Sequence, residues 1–536
     1  MIKISSQYFF THIPAIIVGK FVPADGIGAG WIPFEYQFDD FTGTGIATGA
    51  HSPAGEIVCD LKLNGWHRLY IAFNPQIRVW LDGDNTYHEV SGSSSNVRDY
   101  FCFEADFTGK KLHIAPVRGM FSNKELRLFY IRAVPCKRYI SHKNLIATND
   151  GHGVFYHGVD TIKDISKYIV KLKNSDFFRI VWGVYGGGLL NTRHDSNVSE
   201  KLPFSDDYAF YHGEWVFNHS IENILKQGYD PLNVVRDATG EAGLELHFYF
   251  RVAAFYKPFP HHGTTLKFFS ENPQWHCIDE YGRPVKRISY AFSEVQQRIL
   301  DYFEELLDYN PDGICLAFNR GLPLMICEKP VIDEFEKTYA RKPKLPEETD
   351  SKEMLQIRHK ILSDFISRVY KLVCSHGKVL SCIVPRDFER NLMFGLDIEQ
   401  MVKSNFFESV LVGAGHHDDP ELNLNLEQLK NLKVSGTKVY PGGSGVIAHG
   451  GAWKPGDTKA RACFMKNILD HGFDGAFFWD LEQIIESGTE WEILRQFGDR
   501  GFLSEVIEGK FPDIKYHKTL KIHDLIVDRY NPWNAY

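Results

Sequence analysis

The segment NPDGICLAFNRG (residues 310–321) has the pattern of one strand of a parallel sheet. A turn-forming Asp-Gly pair precedes a short apolar run, and Asn319 and Arg320 follow it. A second segment, GFDGAFFWDLE (472–482), repeats this order but ends in two acidic residues. Apolar runs without alternation are typical of parallel strands, which are buried on both faces. The two segments therefore predict two strands of one sheet.

The same pattern recurs along the chain from about residue 140, with segments of helical periodicity between the apolar runs. The predicted strands lie near residues 144–150, 178–185, 244–252, 313–319, 378–385, 408–414, 437–441 and 474–480. Eight strand–helix units in one run are the number found in a (β/α)8 barrel. Several strand-to-helix connections are long, and they include 186–219, 256–291 and 321–350. Long loops at the carboxyl ends of the strands indicate an active site on that face.

The part of the chain before the barrel has a different pattern. Residues 1–138 contain short alternating runs separated by turns, with Asn74-Pro75-Gln76 as a predicted hairpin, and this pattern is typical of an antiparallel β-sandwich. We assign 139–510 to the barrel and 511–536 to a C-terminal extension that packs on the body. The predicted fold class is therefore α/β, a (β/α)8 TIM barrel preceded by an all-β sandwich.

Composition restricts the classes of partner. The chain has 536 residues, of which 43% are hydrophobic and 24% charged, and its net charge of −8 argues against nucleic acid. No apolar run approaches the roughly 18 residues of a membrane helix, so no membrane partner is expected. Nine cysteines without a CxxC pair suggest reduced thiols. The N-terminus shows no cleavage site, so we expect a cytoplasmic protein, or one exported with a leader that precedes this sequence. The oligomeric state is left open.

One segment of the barrel resembles a known group of proteins. Residues 272–318 contain a Pro-x-Trp element, a D-x-x-G turn, a Ser-Glu-Val helix start and an Asp-Gly-Ile strand start. These elements occupy 273–275, 279–282, 293–295 and 312–314. Together with 395–413, they resemble glycosyl-hydrolase-like barrels grouped near family 10 of the glycoside hydrolases. The resemblance covers about 140 residues and implies a TIM barrel that acts on a glycosidic bond.

The chain departs from that group where its catalytic residues would lie. The fourth strand of such barrels often ends in an acid and an arginine, but here Ala317 takes the place of the acid and Arg320 that of the arginine. The two-glutamate pattern of related enzymes is also absent, because strand four has Asn319-Arg320 and strand seven reads VYPGGSG (439–445). The resemblance therefore implies no catalytic residues for this chain.

Acidic residues at other strand ends are the remaining catalytic candidates. Glycoside hydrolysis usually needs two carboxyl groups, one protonated and one ionised. Asp150 ends strand one, and Asp480 and Glu482 end strand eight, the neighbour of strand one in a closed barrel. We predict Asp480 as the general acid beside Trp479, with Glu482 or Asp150 ionised. For each of them, a helix N-cap is the structural alternative.

Strand three supplies the predicted binding wall. His247, Tyr249 and Arg251 alternate along it and therefore share one face, which we assign to the barrel interior rising toward the mouth. A buried arginine is costly without a partner, so Arg251 should pair with a carboxylate or bind substrate. The other predicted substrate-binding residues are polar or aromatic side chains at or beyond strand ends. They are His152, Trp182, Trp275, Asn319, Arg320, Arg386, His416, His417, Trp453 and Trp479.

Histidines at the strand ends support a rival hypothesis. Barrel metallohydrolases gather such residues around a metal ion, and His152, His247, His416 and His417 fit that general pattern. However, the first strand has D-x-H instead of the usual H-x-H. The glycine-rich segments lack the P-loop and dinucleotide fingerprints, so nucleotide binding is not expected. We expect no cofactor, with a divalent metal left open.

The sequence therefore predicts a glycoside hydrolase that binds a carbohydrate at the C-terminal face of its barrel. The alternatives are a non-catalytic carbohydrate-binding barrel and a metal-dependent barrel hydrolase. The sugar, the linkage and the stereochemical outcome do not follow from the sequence.

Overall fold

The computed structural model describes most of the chain. The described residues are 2–4, 7–19, 30–49, 54–92, 97–117, 125–151, 153–156, 158–184, 191–192, 194, 196–201, 212–252, 266–319, 323–414, 424–433, 436–443, 457–479, 481, 485, 488–510 and 521–523. The chain divides into two compact units. The first unit comprises residues 1–142, 166–176 and 482–536, and the second comprises 143–165 and 177–481.

The described residues of the first unit form two antiparallel sheets. The larger sheet has eight strands: Ile2–Ile4, Gln7–Phe10, Ile32–Gln37, Thr42–Thr48, Trp66–Asn74, Asp99–Asp106, Leu126–Pro135 and Lys521–His523. The smaller sheet has four strands: Ile57–Cys59, Gln76–Leu81, His88–Ser91 and Leu112–Pro116. Both sheets contribute alternate residues to one hydrophobic core cluster, because successive side chains of a strand point to opposite faces.

The predicted hairpin at Asn74-Pro75-Gln76 is wrong. Trp66–Asn74 pairs with two strands of the larger sheet, whereas Gln76–Leu81 pairs with two strands of the smaller one. Each of these two strands already has a partner on both sides. The chain therefore crosses from one sheet to the other at Pro75.

A buried ionic network lies in the first unit. Arg495 Nη2 donates to Glu104 Oε2 (3.0 Å), and Arg68 Nε donates to the same oxygen (3.2 Å). Close by, the Tyr70 hydroxyl donates to Glu492 Oε1. Burial raises the pKa of Glu492 to about 7, although the hydrogen bond from Tyr70 and the neighbouring arginines act in the opposite direction. Glu492 therefore titrates near neutral pH.

We expect the stability of the first unit to fall between pH 5 and pH 8 because of Glu492. A carboxyl whose pKa is raised on folding contributes stability that is fully present below its unfolded pKa and is lost as the pH rises through about 7. The free energy of unfolding should therefore fall by up to roughly 3 kcal/mol over this pH range in wild type, and this pH-dependent loss should disappear in Glu492→Gln. Urea unfolding at the two pH values measures it, with the exposed Glu222→Gln as the control that follows wild type. An equal pH dependence in wild type and Glu492→Gln would contradict the assignment.

The second unit contains a closed barrel of eight parallel strands. In order, they are Leu145–Asn149, Phe177–Gly183, Glu245–Arg251, Gly313–Ala317, Val379–Pro385, Ser409–Ala414, Lys438–Gly443 and Ala476–Phe478. We number them one to eight below. Each lies where the sequence predicted a strand, so the predicted barrel is confirmed. Two short strand pairs accompany it, Asn191–Thr192 with Glu200–Lys201 and His276–Ile278 with Pro284–Ile288.

Helices lie between and after the barrel strands. The α-helices in the described part of the chain are Gly153–Tyr156, Ile162–Val170, His212–Lys226, Pro231–Ala242, Lys267–Ser270, Ser293–Asp308, Lys329–Tyr339, Lys352–Ser375, Phe388–Met393, Ile398–Lys403, Leu426–Lys430, Asp457–Asp470, Gly488–Leu494 and Arg500–Ile507. Short 3-10 helices occupy Ile13–Ile16 and Pro273–Trp275. None of the helices within the described ranges is long and apolar enough to span a membrane.

Arg179 closes the amino-terminal end of the barrel. It lies on strand two, and its guanidinium crosses the interior to Glu408 (3.1 Å) and the Ser409 hydroxyl (2.9 Å) at the start of strand six. A second carboxylate, Glu245 of strand three, contacts it at 2.7 Å, and Lys438 binds the other oxygen of Glu408 (3.1 Å). Burial would raise the pKa of Glu408, but the charge of Arg179 and the hydrogen bonds from Ser409, Arg179 and Lys438 together lower that pKa. This end of the barrel is therefore held by ion pairs.

Candidate functional site

Three predicted site residues meet at the carboxyl ends of the barrel strands. Asp150 directly follows strand one, and Tyr249 and Arg251 lie on strand three. The Tyr249 hydroxyl donates to Asp150 Oδ1, and Arg251 Nη2 forms an ion pair with Asp150 Oδ2. Arg251 Nη2 also lies 3.3 Å from the Tyr249 oxygen. We call Asp150, Tyr249 and Arg251 the mouth triad.

A glycine on the intervening strand allows the mouth triad to form. Strand two pairs with strand one on one side and strand three on the other, so its inward side chain would lie between Asp150 and Tyr249. That position is Gly183. A Cβ there would lie 2.4 Å from the Asp150 carbonyl oxygen and 3.0 Å from the Tyr249 ring. Any larger residue would therefore separate the two strands' side chains.

The triad favours an ionised Asp150. Asp150 is only 3% exposed, and such a buried carboxylate needs an opposite charge and hydrogen bonds. Arg251 and Tyr249 supply both. Burial would lower the pKa of the Arg251 guanidinium, but the charge and hydrogen bond of Asp150 raise it well above its ordinary value. The predicted pairing of Arg251 with a carboxylate is confirmed.

One polar atom of the triad and one on the side of the adjacent strand four have no hydrogen-bond partner among the described residues. Arg251 Nε and Asn319 Oδ1 are buried, and neither has a hydrogen-bond partner among the residues that the structure describes. Arg251 pairs in the sheet with Ala317, two residues before Asn319, so both atoms belong to the carboxyl ends of adjacent strands. One is a donor and the other an acceptor. Together they match a ligand that carries hydroxyl groups.

Strand eight lies next to the triad. Its Trp479 ring is 5.9 Å from the Tyr249 ring and only 4% exposed, so it packs inside the barrel and presents no broad face to a sugar. The backbone N–H of Leu481 donates to the Thr148 carbonyl of strand one (3.1 Å). Asp480 lies between these two residues in the sequence. Asp480 and Glu482 themselves fall outside the described residues.

His247 does not lie at the mouth. It is fully buried, and Nδ1 is 2.8 Å from the Ser381 hydroxyl of strand five, across Gly313 of strand four. Because it precedes Arg251 by four residues on an extended strand, it lies on the order of 13 Å deeper. Burial and the charge of Arg179 lower its pKa well below the ordinary value. His247 is thus a neutral interior residue, which corrects its prediction as a substrate-binding residue.

The other described candidates are dispersed. Trp182 is 1% exposed, and because its neighbour Gly183 takes the inward position, its indole packs outside the barrel wall and cannot stack on a sugar. Trp275 lies on the Pro273–Trp275 turn after strand three, with its ring 5.4 Å from Phe268. Arg386 follows strand five, where its backbone N–H donates to the Gly413 carbonyl (3.0 Å). The structure therefore brings neither Trp182 nor Trp275 to the triad.

Several predicted residues lie outside the described part of the chain. They are His152, Arg320, His416, His417, Trp453, Asp480 and Glu482. Within the described ranges, no group of three or more His, Cys, Asp or Glu side chains is arranged to hold a metal ion. The metal hypothesis rested mostly on the residues outside those ranges, so it stays a prediction.

Sequence reasoning missed Gly183. The strand reads FFRIVWG, and three further glycines, at 186–188, follow Gly183 closely. The sequence pattern therefore does not distinguish Gly183 from a glycine-rich loop. A glycine at an inward strand position often marks a close approach of neighbouring groups, and this signal would have indicated the contact between strands one and three.

Comparison with known proteins gives only distant structural similarity. No protein-family model matches the chain, and no curated protein matches it in sequence. The glycoside hydrolase domain of PgaB (BpsB) from Bordetella bronchiseptica is similar over 67% of this chain and 99% of its own, at 12% identity and a TM-score of 0.43.

Two further structures are similar at a lower level. Alpha-L-fucosidase isoenzyme 2 from Paenibacillus thiaminolyticus matches 69% of this chain and 50% of its own, at 13% identity and a TM-score of 0.38. The alpha-galactosidase TtGalA from Thermus thermophilus matches 80% of both chains, at 11% identity and a TM-score of 0.37. TM-scores of this size support no transfer of function to this chain.

Proposed function

We propose that the chain is a glycoside hydrolase that binds a carbohydrate at the C-terminal face of its barrel and uses Asp150 as an ionised catalytic carboxylate. The observation that carries this proposal is the mouth triad, in which two partners stabilise the charge of one buried carboxylate. Active sites of (β/α)8 barrels lie at this face. Glycoside hydrolysis needs one ionised carboxylate near the bond that is cleaved.

The three residues of the mouth triad would have different roles in the reaction. Asp150 would act as nucleophile or as the base that activates water, while Arg251 and Tyr249 position it and keep it charged. Tyr249 is itself fully buried, so its part is to hold Asp150 and not to present a platform. Arg251 Nε and Asn319 Oδ1 would bind sugar hydroxyls, since both atoms lack partners in the described part of the barrel. A polyhydroxylated ligand satisfies a donor and an acceptor at once.

The second carboxyl is proposed to come from the end of strand eight. Trp479 and Leu481, the described neighbours of Asp480, lie against Tyr249 and strand one respectively. Asp480 would serve as the general acid, with Glu482 as the other candidate. An apolar neighbour such as Trp479 favours a protonated carboxyl, as a general acid requires.

A barrel that binds glycans without cleaving them is the second candidate. Ala317 favours it, because this inward position of strand four is fully buried among apolar side chains and carries no acid. The two candidates differ in whether a bound saccharide is turned over.

The strand-eight proposal predicts a dependence on the leaving group. In Asp480→Asn, turnover of an unactivated oligosaccharide should fall by about 10²–10⁴-fold, whereas an aryl glycoside with an acidic phenol needs little protonation and should lose far less. Steady-state kinetics on the two substrates measures the difference, and Asp364→Asn, an exposed acid on the helix Lys352–Ser375, is the matched control. If Asp480→Asn and Glu482→Gln both keep full activity on both substrates, the acid lies elsewhere. Binding without turnover in wild type would favour the glycan-binding barrel.

A further inference from the structure

The first unit contains a cavity that takes no part in the proposed reaction. Its volume is about 350 Å³, and all the residues that line it belong to the first unit. This volume falls at the lower end of the roughly 300–1,000 Å³ of small-molecule sites, which suits one monosaccharide. The walls come from the strand Asp99–Asp106, the start of Trp66–Asn74 and the helix Gly488–Leu494.

Aromatic rings form part of the cavity wall. Trp66 lines it and is partly exposed, whereas Trp491 also lines it but is almost fully buried and presents no broad face. The His88 ring stacks on Phe103 with centroids 4.7 Å apart and an interplanar angle of 25°. Flat apolar rings bind the C–H face of a sugar, whose other groups are polar.

Two buried nitrogen atoms of residues that line the cavity have no hydrogen-bond partner among the described residues. Arg495 is held in place because Nη2 donates to Glu104 Oε2 (3.0 Å) and Nη1 donates to the Asn174 carbonyl (3.0 Å). Its Nε, and Nδ1 of His88, are buried without a hydrogen-bond partner among the described residues. An unused N–H in a buried wall is costly unless a ligand or water accepts from it. Arg495 and His88 are both lining residues of the cavity.

Side chains of both charges line the cavity, and two of the carboxylates, Asp84 and Asp106, accept from the backbone N–H groups of Leu81 and Thr108. Arg138 and Lys173 line it and are exposed, and neither forms an ion pair within the described ranges. The Arg138 guanidinium lies over the Trp66 ring, 5.6 Å from its centroid. By contrast, Glu104 is already bound by Arg68 and Arg495. Five of the described lining residues are cationic and three are acidic, so the lining has a net positive charge that favours an anion.

We propose that this cavity binds a carboxylated monosaccharide, a hexuronate, either free or as the end of an acidic glycan. The carboxylate would pair with Arg138 and Lys173, the sugar ring would contact the partly exposed Trp66, and a ring hydroxyl would accept from Arg495 Nε. This proposal is independent of the barrel mouth, since the two sites share no residue.

Calorimetric titration of the full chain at low ionic strength tests the proposal. Glucuronate should bind, while glucose lacks the carboxylate and acetate lacks the ring, so each should bind at least roughly tenfold more weakly. The double variant Arg138→Ala/Lys173→Ala should weaken glucuronate about tenfold. Lys371→Ala, an exposed lysine of Lys352–Ser375 in the second unit, is the matched control and should bind as wild type. Added salt should weaken binding, as expected for an exposed ion pair.

Four results would overturn the proposal. They are no saturable binding of glucuronate, equal binding of glucose or of acetate, an unchanged affinity in the double variant, and loss of binding in folded Asp150→Asn. The last result would indicate that glucuronate binds at the barrel mouth and not in this cavity. Loss of turnover in Asp150→Asn with unchanged glucuronate binding would separate the two sites.

Discussion

Asp150→Asn is expected to lower kcat/KM on an activated aryl glycoside by about 10²–10⁴-fold, the loss typical of removing acid–base assistance. The reason is the mouth triad, which holds Asp150 charged between Tyr249 and Arg251 at the face where barrel enzymes react. Asn has nearly the same shape but no charge. Steady-state kinetics on the aryl glycoside that wild type cleaves best measures the loss.

The same substitution also affects stability, and a matched variant separates the two effects. Removing one partner of a buried ion pair costs about 3–5 kcal/mol, because Arg251 would remain buried without its counter-charge. Asp99 forms a buried pair of the same kind with Arg132 in the first unit. Asp99→Asn should therefore lose comparable stability but keep full turnover per folded molecule. Equal losses of turnover in the two variants would make Asp150 a structural residue.

Chemical rescue identifies the role of Asp150. In Asp150→Ala the space of the carboxylate is free, and azide can form a bond to the anomeric carbon as the phenolate leaves. We expect added azide to restore turnover of the aryl glycoside and to yield a glycosyl azide. The same azide should not restore Arg251→Ala, in which Asp150 is still present but no longer positioned. Absence of rescue in Asp150→Ala would contradict its assignment as the catalytic carboxylate.

Arg179→Met is expected to destabilise the barrel by about 3 kcal/mol. This figure is at the lower end of the 3–5 kcal/mol for breaking a buried pair, since Glu245 and Glu408 are partly exposed. Methionine fills much of the volume but leaves both carboxylates without the guanidinium that crosses the interior. The shift in the urea midpoint of the barrel's transition measures the loss.

The control for Arg179 is an arginine of the same unit at the surface. Arg236 pairs with Asp237 (2.7 Å), and both side chains are exposed. Such pairs contribute about 0–1 kcal/mol, so Arg236→Met should unfold close to wild type. If Arg179→Met shifts the midpoint no more than Arg236→Met does, the network at the amino-terminal end does not stabilise the barrel.

The barrel could be predicted because its strands differ so clearly from its helices. Strands such as Gly313–Ala317 are buried on both faces and read as apolar runs, whereas helices such as Lys352–Ser375 carry an apolar face at helical spacing. The shared face of Tyr249 and Arg251 followed from alternation alone. In the first unit, alternation revealed strands but not which sheet each joins, and for that reason the hairpin at Pro75 was wrong.

The candidate site could be predicted only in part, because alternation gives the face of a residue and not its depth or its neighbours. His247 shares the inward face of Arg251, yet it lies deep in the interior against Ser381. Trp182 lies near a strand end but on the outer face, since Gly183 takes the inward position. The contact of Asp150 with Tyr249 depends on the register of three strands, which no local pattern in the sequence specifies.

A crystal structure of the chain soaked with a panel of oligosaccharides tests the central claim most directly. We predict a sugar at the C-terminal face of the barrel, with hydroxyl groups within hydrogen-bond distance of Arg251 Nε and Asn319 Oδ1 and the anomeric carbon facing Asp150. A saccharide bound only elsewhere, with both of these atoms still unpartnered, would contradict the assignment of the mouth triad as the active site.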